Sequence, residues 1–474
     1  MNVRASMEEL TVDGLCVDAG RQRIVTDVSF SIRAGAPLTL LGESGSGKSL
    51  VAQAIMGNLP PELHASGRAV LGGADLLAGS PAARRGRWGR AISLMPQEPW
   101  LALDPTMRVA AQVAEVHRHV KGRDARRSAR LAQDDLADVG LGHAGSLYPF
   151  QMSGGMCQRV AIAIAHAGGS DLVIADEPTK GLDTDLRDSV ASRLKREAED
   201  GRLLLTITHD VAVARALGGT VGVMLDGRLV EYGAAGTLLD APQHDYTRAL
   251  VAADPQGWAR QAPAGGGGVV LCGRGLAKSF GGRTLFRNLD IELRAGEIVS
   301  IVGPSGCGKT TVGNILLGLV PPDAGEVARG GGHAPLRFQK LYQDPPAAFI
   351  PHQPLRKGLA DLARLHGRPW SEVEALLARL RLRNDLLDRR PGQVSGGELQ
   401  RFAVLRALLL DPVFLFADEA TSRLDPVSQK EVIELLVGIV REKGLAMLLV
   451  THDRYLADRI STRVLTLEGR GAQA

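Results

Sequence analysis

The chain has 474 residues, 45% of them hydrophobic and 23% charged, which excludes wholesale disorder and leaves room for two to four domains of about 150 residues each. Lys and Arg (56) nearly balance Asp and Glu (52), so the formal charge of +4 carries no footprint of a dedicated nucleic-acid binder. Cys16, Cys157, Cys272 and Cys307 lie far apart with no C-x-x-C pair, which argues against a disulfide framework or a zinc site and fits a reducing compartment.

Residues 1–15 mix Arg4, Glu8, Glu9 and Asp13 with apolar positions, without the apolar core of a signal peptide. The longest apolar runs, such as 160–165 and 447–450, fall far short of the roughly 18–20 residues of a spanning helix. A soluble, intracellular protein is expected. The first strong element is an apolar strand at 37–41, which runs into GESGSGKS at 42–49 and then a helix-like run to 59. That is a G-x-x-x-x-G-K-[ST] loop in strand–loop–helix context, with Gly42, Gly45, Gly47, Lys48 and Ser49 in its key positions. Further on come MPQEP with Gln97, then MSGGMCQR with Ser153, Gly154 and Gly155. The apolar strand LVIADE ends at Asp176 and Glu177, KGLD follows with Asp183, and a further strand closes in THD with His209.

The second half repeats this order. Residues 303–310 read GPSGCGKT, supplying Gly303, Gly306, Gly308, Lys309 and Thr310. Gln343 in YQDPP, Ser395, Gly396 and Gly397 in VSGGELQR, Asp418 and Glu419 in FLFADE, Asp425 in SRLD and His452 in THD complete the set. Twenty-four positions separate Ser153 from Glu177, and Ser395 from Glu419 alike. The chain is one machine built twice. Its seam falls in DPQGWARQAPAGGGG, which divides it into residues 1–253, a Gly/Ala-rich linker 254–268, and residues 269–474. Extended, such a linker spans about 50 Å.

The chemistry follows from residue types. A glycine loop at a helix N-terminus turns several backbone N–H groups and the helix dipole toward a polyphosphate. Lys48 and Lys309 can reach the β- and γ-phosphates, and the Ser49 and Thr310 hydroxyls can ligate Mg²⁺. Asp176 and Asp418, at strand ends, suit the other Mg²⁺ contact, and Glu177 and Glu419 can polarise an attacking water.

These ordered motifs resemble those of tandem ATP-binding-cassette ATPases over nearly the whole chain. The resemblance implies an α/β fold of two P-loop NTPase (RecA-like) cassettes, each with an antiparallel β subdomain and a helical subdomain, using ATP and Mg²⁺. It implies that Gln97 and Gln343 are Q-loop residues sensing the γ-phosphate and Mg²⁺, and that Asp183 and Asp425 belong to D-loops. His209 and His452 become the switch histidines. Ser153, Gly154 and Gly155 would cap the ATP on Lys309, and Ser395, Gly396 and Gly397 the ATP on Lys48, in an intramolecular head-to-tail dimer. Phe280 matches the aromatic that stacks on adenine. The first half has Ala19 there, so weaker ATP binding at the first loop is expected. The last signature residue, commonly Gln, is Met156 or Glu398.

Residues 103–109 (LDPTMRV), SGGMCQR and the PQHDYTRAL tail at 242–250 resemble the ATPases of bacterial peptide and nickel importers, with Asp245 where Pro is usual. The implied partners are two transmembrane permease subunits and, indirectly, an extracytoplasmic solute-binding protein, with no nucleic acid. The implied location is the cytoplasmic face of the cell membrane. Peptides, nickel, and chelator- or opine-like solutes stay open. Tandem translation factors carry a long charged linker and repair ATPases carry cysteine pairs, and neither feature is present. Tandem sugar-importer ATPases have a degraded second site, whereas this one is intact. His117 and His119 in HRH have no ligand-like company elsewhere in the sequence.

Overall fold

A computed structural model describes residues 9–260, 266–304 and 306–468. The chain divides into two compact units, Met1–Asp254 and Pro255–Ala474. Among the described residues, no helix is long and apolar enough to cross a membrane.

The first unit opens with long alternating strands, Glu9–Ala19 and Gln22–Arg33, paired antiparallel with the sheet continuing through Leu63–Leu71 and Ala74–Asp75. Alternation, reset by a bulge between Val12 and Leu15, puts Leu10, Val12, Leu15 and Val17 in one buried core, with Ile32 and Phe30 from the partner strand. The second sheet has six strands in the order Arg228–Ala234, Thr220–Leu225, Leu38–Leu41, Leu203–Thr208, Leu172–Asp176 and Ile92–Met95. Its inner strands pair in parallel and read as continuous apolar runs, as strands buried on both faces must. A separate core gathers the helices Val109–Glu115, Ala125–Asp138 and Gly154–Ala167.

The second unit repeats the plan with fewer strands. Val269–Phe280, Arg283–Arg294 and Ala324–Arg329 form the antiparallel sheet. The parallel sheet runs Phe338–Leu341, Phe414–Asp418, Ala446–Val450, Ile298–Val302 and Arg463–Thr466. The helices Leu355–Leu365, Trp370–Arg379 and Gly396–Leu408 make its helical part. Each unit is therefore an α/β cassette with an antiparallel β subdomain and a helical subdomain.

Two sequence expectations gain detail. The tail helix Asp245–Ala252 packs on the first unit: Leu250 is buried beside Val211, Val223 and Leu239, and Glu231 accepts the Gln243 and His244 amides. The expected linker 254–268 is not uniform. Trp258 packs against the second unit's core, and Arg459 donates to the Gln256 carbonyl at 2.9 Å. An indole in a Gly/Ala-rich stretch carries enough apolar area to dock wherever a face is offered. Residues 261–265 of that stretch lie outside the described residues.

Candidate functional site

In each unit an inner parallel strand ends in the glycine loop. Leu38–Leu41 leads into Gly42, and Ile298–Val302 into Gly303. A Cβ on Gly42 would lie 2.3 Å from the Met224 carbonyl oxygen, and one on Gly303 the same distance from that of Leu467. Only glycine lets the loop pass so close to the neighbouring strand's end. The helices Lys48–Met56 and Lys309–Leu317 follow, each N-capped by a left-handed glycine without a side-chain cap, so their first N–H groups face the loop.

Both lysines are buried and curl back over their loops. Lys48 Nζ donates to the carbonyls of Gly42 (2.8 Å) and Glu43 (2.6 Å) and to Ser46 Oγ (3.2 Å). Lys309 Nζ donates to the carbonyls of Gly303 (2.8 Å) and Pro304 (3.1 Å). Burial lowers the Lys48 pKa, opposed by the charges of Glu177 and Asp176. Polar main-chain acceptors thus hold an ammonium where a polyphosphate would find its counter-charge.

The acid pairs close the adjacent parallel strands. Asp176 and Asp418 are buried at the ends of Leu172–Asp176 and Phe414–Asp418. Each lies by the hydroxyl that follows the loop lysine: Ser49 stands beside Asp176, and Thr310 Oγ1 donates to Asp418 Oδ1 at 2.8 Å. Asp176 Oδ1 is a buried acceptor with no hydrogen-bond partner, and burial pushes its pKa up to about 6 against the Ser49 hydroxyl. A hydroxyl beside an unsatisfied carboxylate oxygen is the hard oxygen set that suits Mg²⁺.

Glu177 and Glu419 take left-handed backbone angles, φ 50° and φ 47°, rare for a residue with a Cβ. Their amides bond the next strand, to the Ile207 carbonyl (2.8 Å) and the Val450 carbonyl (3.0 Å), which holds the strained turn. The two carboxylates then differ. His209 Nδ1 lies 2.8 Å from Glu177 Oε1, and Thr208 Oγ1 donates to Oε2 at 3.5 Å. In the second unit the Gln343 amide donates to Glu419 Oε2 at 2.8 Å, while His452 Nδ1 stands 4.0 Å away.

The pair in the first unit has a pH signature. Burial opposes charge on the His209 ring, but the Glu177 hydrogen bond and charge outweigh it and raise the pKa. Burial likewise opposes the Glu177 charge, and the His209 bond outweighs it and lowers that pKa. The imidazole's stabilisation is complete below its ordinary 6.5 and is lost as pH rises through the raised folded value. The carboxylate's is present above its ordinary 4.5 and is lost as pH falls through the lowered one. In scanning calorimetry of the full chain, the first unit's unfolding temperature is expected to fall as pH rises beyond 6.5, and His209→Gln to flatten that fall. An equal slope in both proteins would refute the pair.

The structure does not gather every predicted residue into these two clusters. Ser153 and Ser395 are exposed N-caps of their own helices, accepting the Met156 and Glu398 amides at 3.3 Å. Glu398 answers with a bond to the Ser395 hydroxyl (3.0 Å), which Met156 cannot make for Ser153. Asp183 and Asp425 cap the helices Thr184–Glu199 and Pro426–Lys443. Gln97 is half-buried just beyond Ile92–Met95. Ala19 and Phe280 occupy the same place, the last pair of the first hairpin, opposite Gln22 and Arg283. Phe280 is 53% exposed with the Lys278 ammonium 5.2 Å from its ring. His117 bonds Asp135 at 2.6 Å, and no metal-holding cluster occurs among the described residues.

Sequence reasoning passed over Lys340, whose ammonium lies 2.9 Å from Asp418 Oδ2. Setting ISLM beside FQKL would have exposed it, since a charge in a short strand between apolar ones needs a buried partner.

Loop lysine, capped hydroxyl, buried aspartate and strained glutamate recur in both halves, and they define a tandem P-loop nucleotide hydrolase. The ABC transporter family model matches residues 25–180 and 286–422. A glutathione import ATP-binding protein of Salmonella typhi is 33% identical over 98% of this chain and 85% of its own. An uncharacterized ABC transporter ATP-binding protein of Escherichia coli K12 is 33% identical over 97% and 93%. The chain belongs to the ABC transporter ATP-binding family and is an ATPase. An RNase-L inhibitor structure, 22% identical, superposes over 95% of this chain and 87% of that one with a TM-score of 0.65. An archaeal ribosome recycling factor, in complex with a ribosomal stalk protein, gives 0.66 at 22% identity over 92% and 83%. At that identity the likeness is one of fold alone.

Proposed function

We propose that this chain is the energising subunit of an importer for small peptides, binding two Mg²⁺–ATP and coupling their hydrolysis to a pair of permeases at the cytoplasmic face of the membrane. The observation that carries it is the doubling of an intact hydrolytic cluster within one chain whose relatives, matched nearly end to end, include import ATPases. Lys48 and Lys309 hold the phosphates, Ser49 with Asp176 and Thr310 with Asp418 hold Mg²⁺, and Glu177 and Glu419 polarise the attacking water. When bound there, Mg²⁺ would neutralise the charge that develops on the phosphates. Gln97 and Gln343 sense the γ-phosphate, and His209 and His452 position it.

The exposed signature serines complete the sites from the opposite unit, Ser395 over the ATP of Lys48 and Ser153 over that of Lys309. ATP then acts as glue, and hydrolysis releases the halves. Tethering sets their effective concentration near the millimolar range. Beyond Gln343, a groove of about 260 Å³ lined by Phe349, Ile350, Leu359, Leu362 and Leu365 leaves Leu365 76% and Ile350 50% exposed. An exposed apolar groove on the segment that follows Gln343 in the chain suits a permease segment. A solute-binding protein outside the membrane would deliver cargo to the permeases.

Uptake of labelled glutathione, a dipeptide and nickel by cells lacking the gene tests the reading. The expected result is loss of a peptide solute, restored by wild type and not by Glu177→Gln/Glu419→Gln. Loss of nickel uptake alone would replace the cargo class, and recovery of the chain on ribosomes rather than membranes would overturn the transport role.

A further inference from the structure

The two halves pair the same strands in the same register, Leu94 opposite Ile174 and Lys340 opposite Phe416, so Leu94 and Lys340 are equivalent positions. Leu94 packs into the first unit's core. Lys340 instead carries a cation to the carboxylate that ends the next strand. Its ammonium is 2.9 Å from Asp418 Oδ2 and donates to Asn314 Oδ1 at 3.0 Å. It also stands over the rings of Phe416 (4.9 Å) and Tyr342 (5.4 Å). The two charged side chains are only 12% and 8% exposed, so this is a built, desolvated pair rather than a surface contact.

The consequence lies in what each aspartate has to offer. Asp418 spends Oδ1 on Thr310 and Oδ2 on Lys340. Asp176 has Ser49 beside it and keeps Oδ1 without a partner. A cation drawn to Asp418 must compete with a resident charge that Asn314 and the Phe416 ring also hold, and one drawn to Asp176 relieves an unsatisfied acceptor.

We propose that Lys340 is a positioning residue that holds Asp418 and raises the Mg²⁺ concentration at which the second site takes up Mg²⁺–nucleotide, so the two sites of one chain load metal over different ranges. This rests on the two nucleotide sites proposed above. Lys340 sits at contact distance on an oxygen that Mg²⁺ would also address, so the bound cation and the resident ammonium repel across one carboxylate.

The test is equilibrium binding of labelled ADP to the full chain as Mg²⁺ is raised, with Lys48→Ala leaving the second site to be read and Lys309→Ala the first. Lys340→Met is expected to lower the second site's Mg²⁺ midpoint by about tenfold or more, with ADP binding in EDTA unchanged. Lys340→Arg is expected to keep the midpoint. Leu94→Lys, which keeps the second unit intact, is expected to raise the first site's midpoint by a similar factor. That reciprocal variant decides the matter where Lys340→Met does not fold. Midpoints unmoved in both directions overturn the inference, as does an equal loss of ADP binding with and without metal. No ADP binding by any variant at any Mg²⁺ concentration overturns the nucleotide reading itself.

Discussion

Glu177→Gln combined with Glu419→Gln is expected to lower steady-state ATP turnover by about 10²–10⁴-fold while ATP still binds, because an amide cannot take a proton from the attacking water. Phosphate release and nucleotide binding, measured side by side, check it. Turnover within tenfold of wild type would remove both glutamates from the reaction. The single variants should not be alike. Glu177 is bonded to His209, and Glu419 is held by the side-chain amide of Gln343 with His452 Nδ1 at 4.0 Å. Glu419→Gln therefore also turns the charge-assisted bond from the Gln343 amide into a weaker one to a neutral carbonyl oxygen. Single-turnover measurements should find that variant impaired in how phosphate release responds to nucleotide, not only in rate.

The second large effect is on stability. Gly313, inside the helix Lys309–Leu317, faces the ring of the fully buried Phe416, and a Cβ there would fall 2.1 Å from Cζ. Gly313→Ala is expected to destabilise the second unit by about 1–3 kcal/mol, the cost of overpacking a filled core, despite alanine's better helix propensity. The first unit solves the same contact the other way, with Ala52 and Ile174 in the corresponding places, both buried in one core. Adding Phe416→Ile to Gly313→Ala should recover most of the loss. A denaturant-unfolding mutant cycle measures the coupling, and strict additivity would show that the two positions do not constrain each other.

Most of the site was legible because phosphate chemistry fixes residue types at short spacings. The loops at 42–49 and 303–310, the acid pairs and the THD histidines all name themselves, and the alternating and continuous apolar runs place them at strand ends. What was not legible is three-dimensional pairing. Nothing local says that Glu177 and Glu419 sit at positive φ, since that angle is imposed by the neighbouring strand through the Ile207 and Val450 carbonyls. The different partners of the two glutamates depend on loops that the motifs treat as identical. Lys340 was hidden because a motif search reads the motif and not the strand before it. Trp258 was absorbed into a linker by the composition around it, though its indole packs on the second unit.

The contact at Ala52 and Ile174, answered by Gly313 and Phe416, has a bearing on how such a chain can change. In a homodimer of single cassettes every substitution is met twice, so a compensating partner must work in both copies at once. A duplicated chain meets each change once, and its remedy need only lie in the same half. Divergence between the halves can then accumulate as matched pairs while each core stays filled, leaving room for the two halves to specialise within one chain.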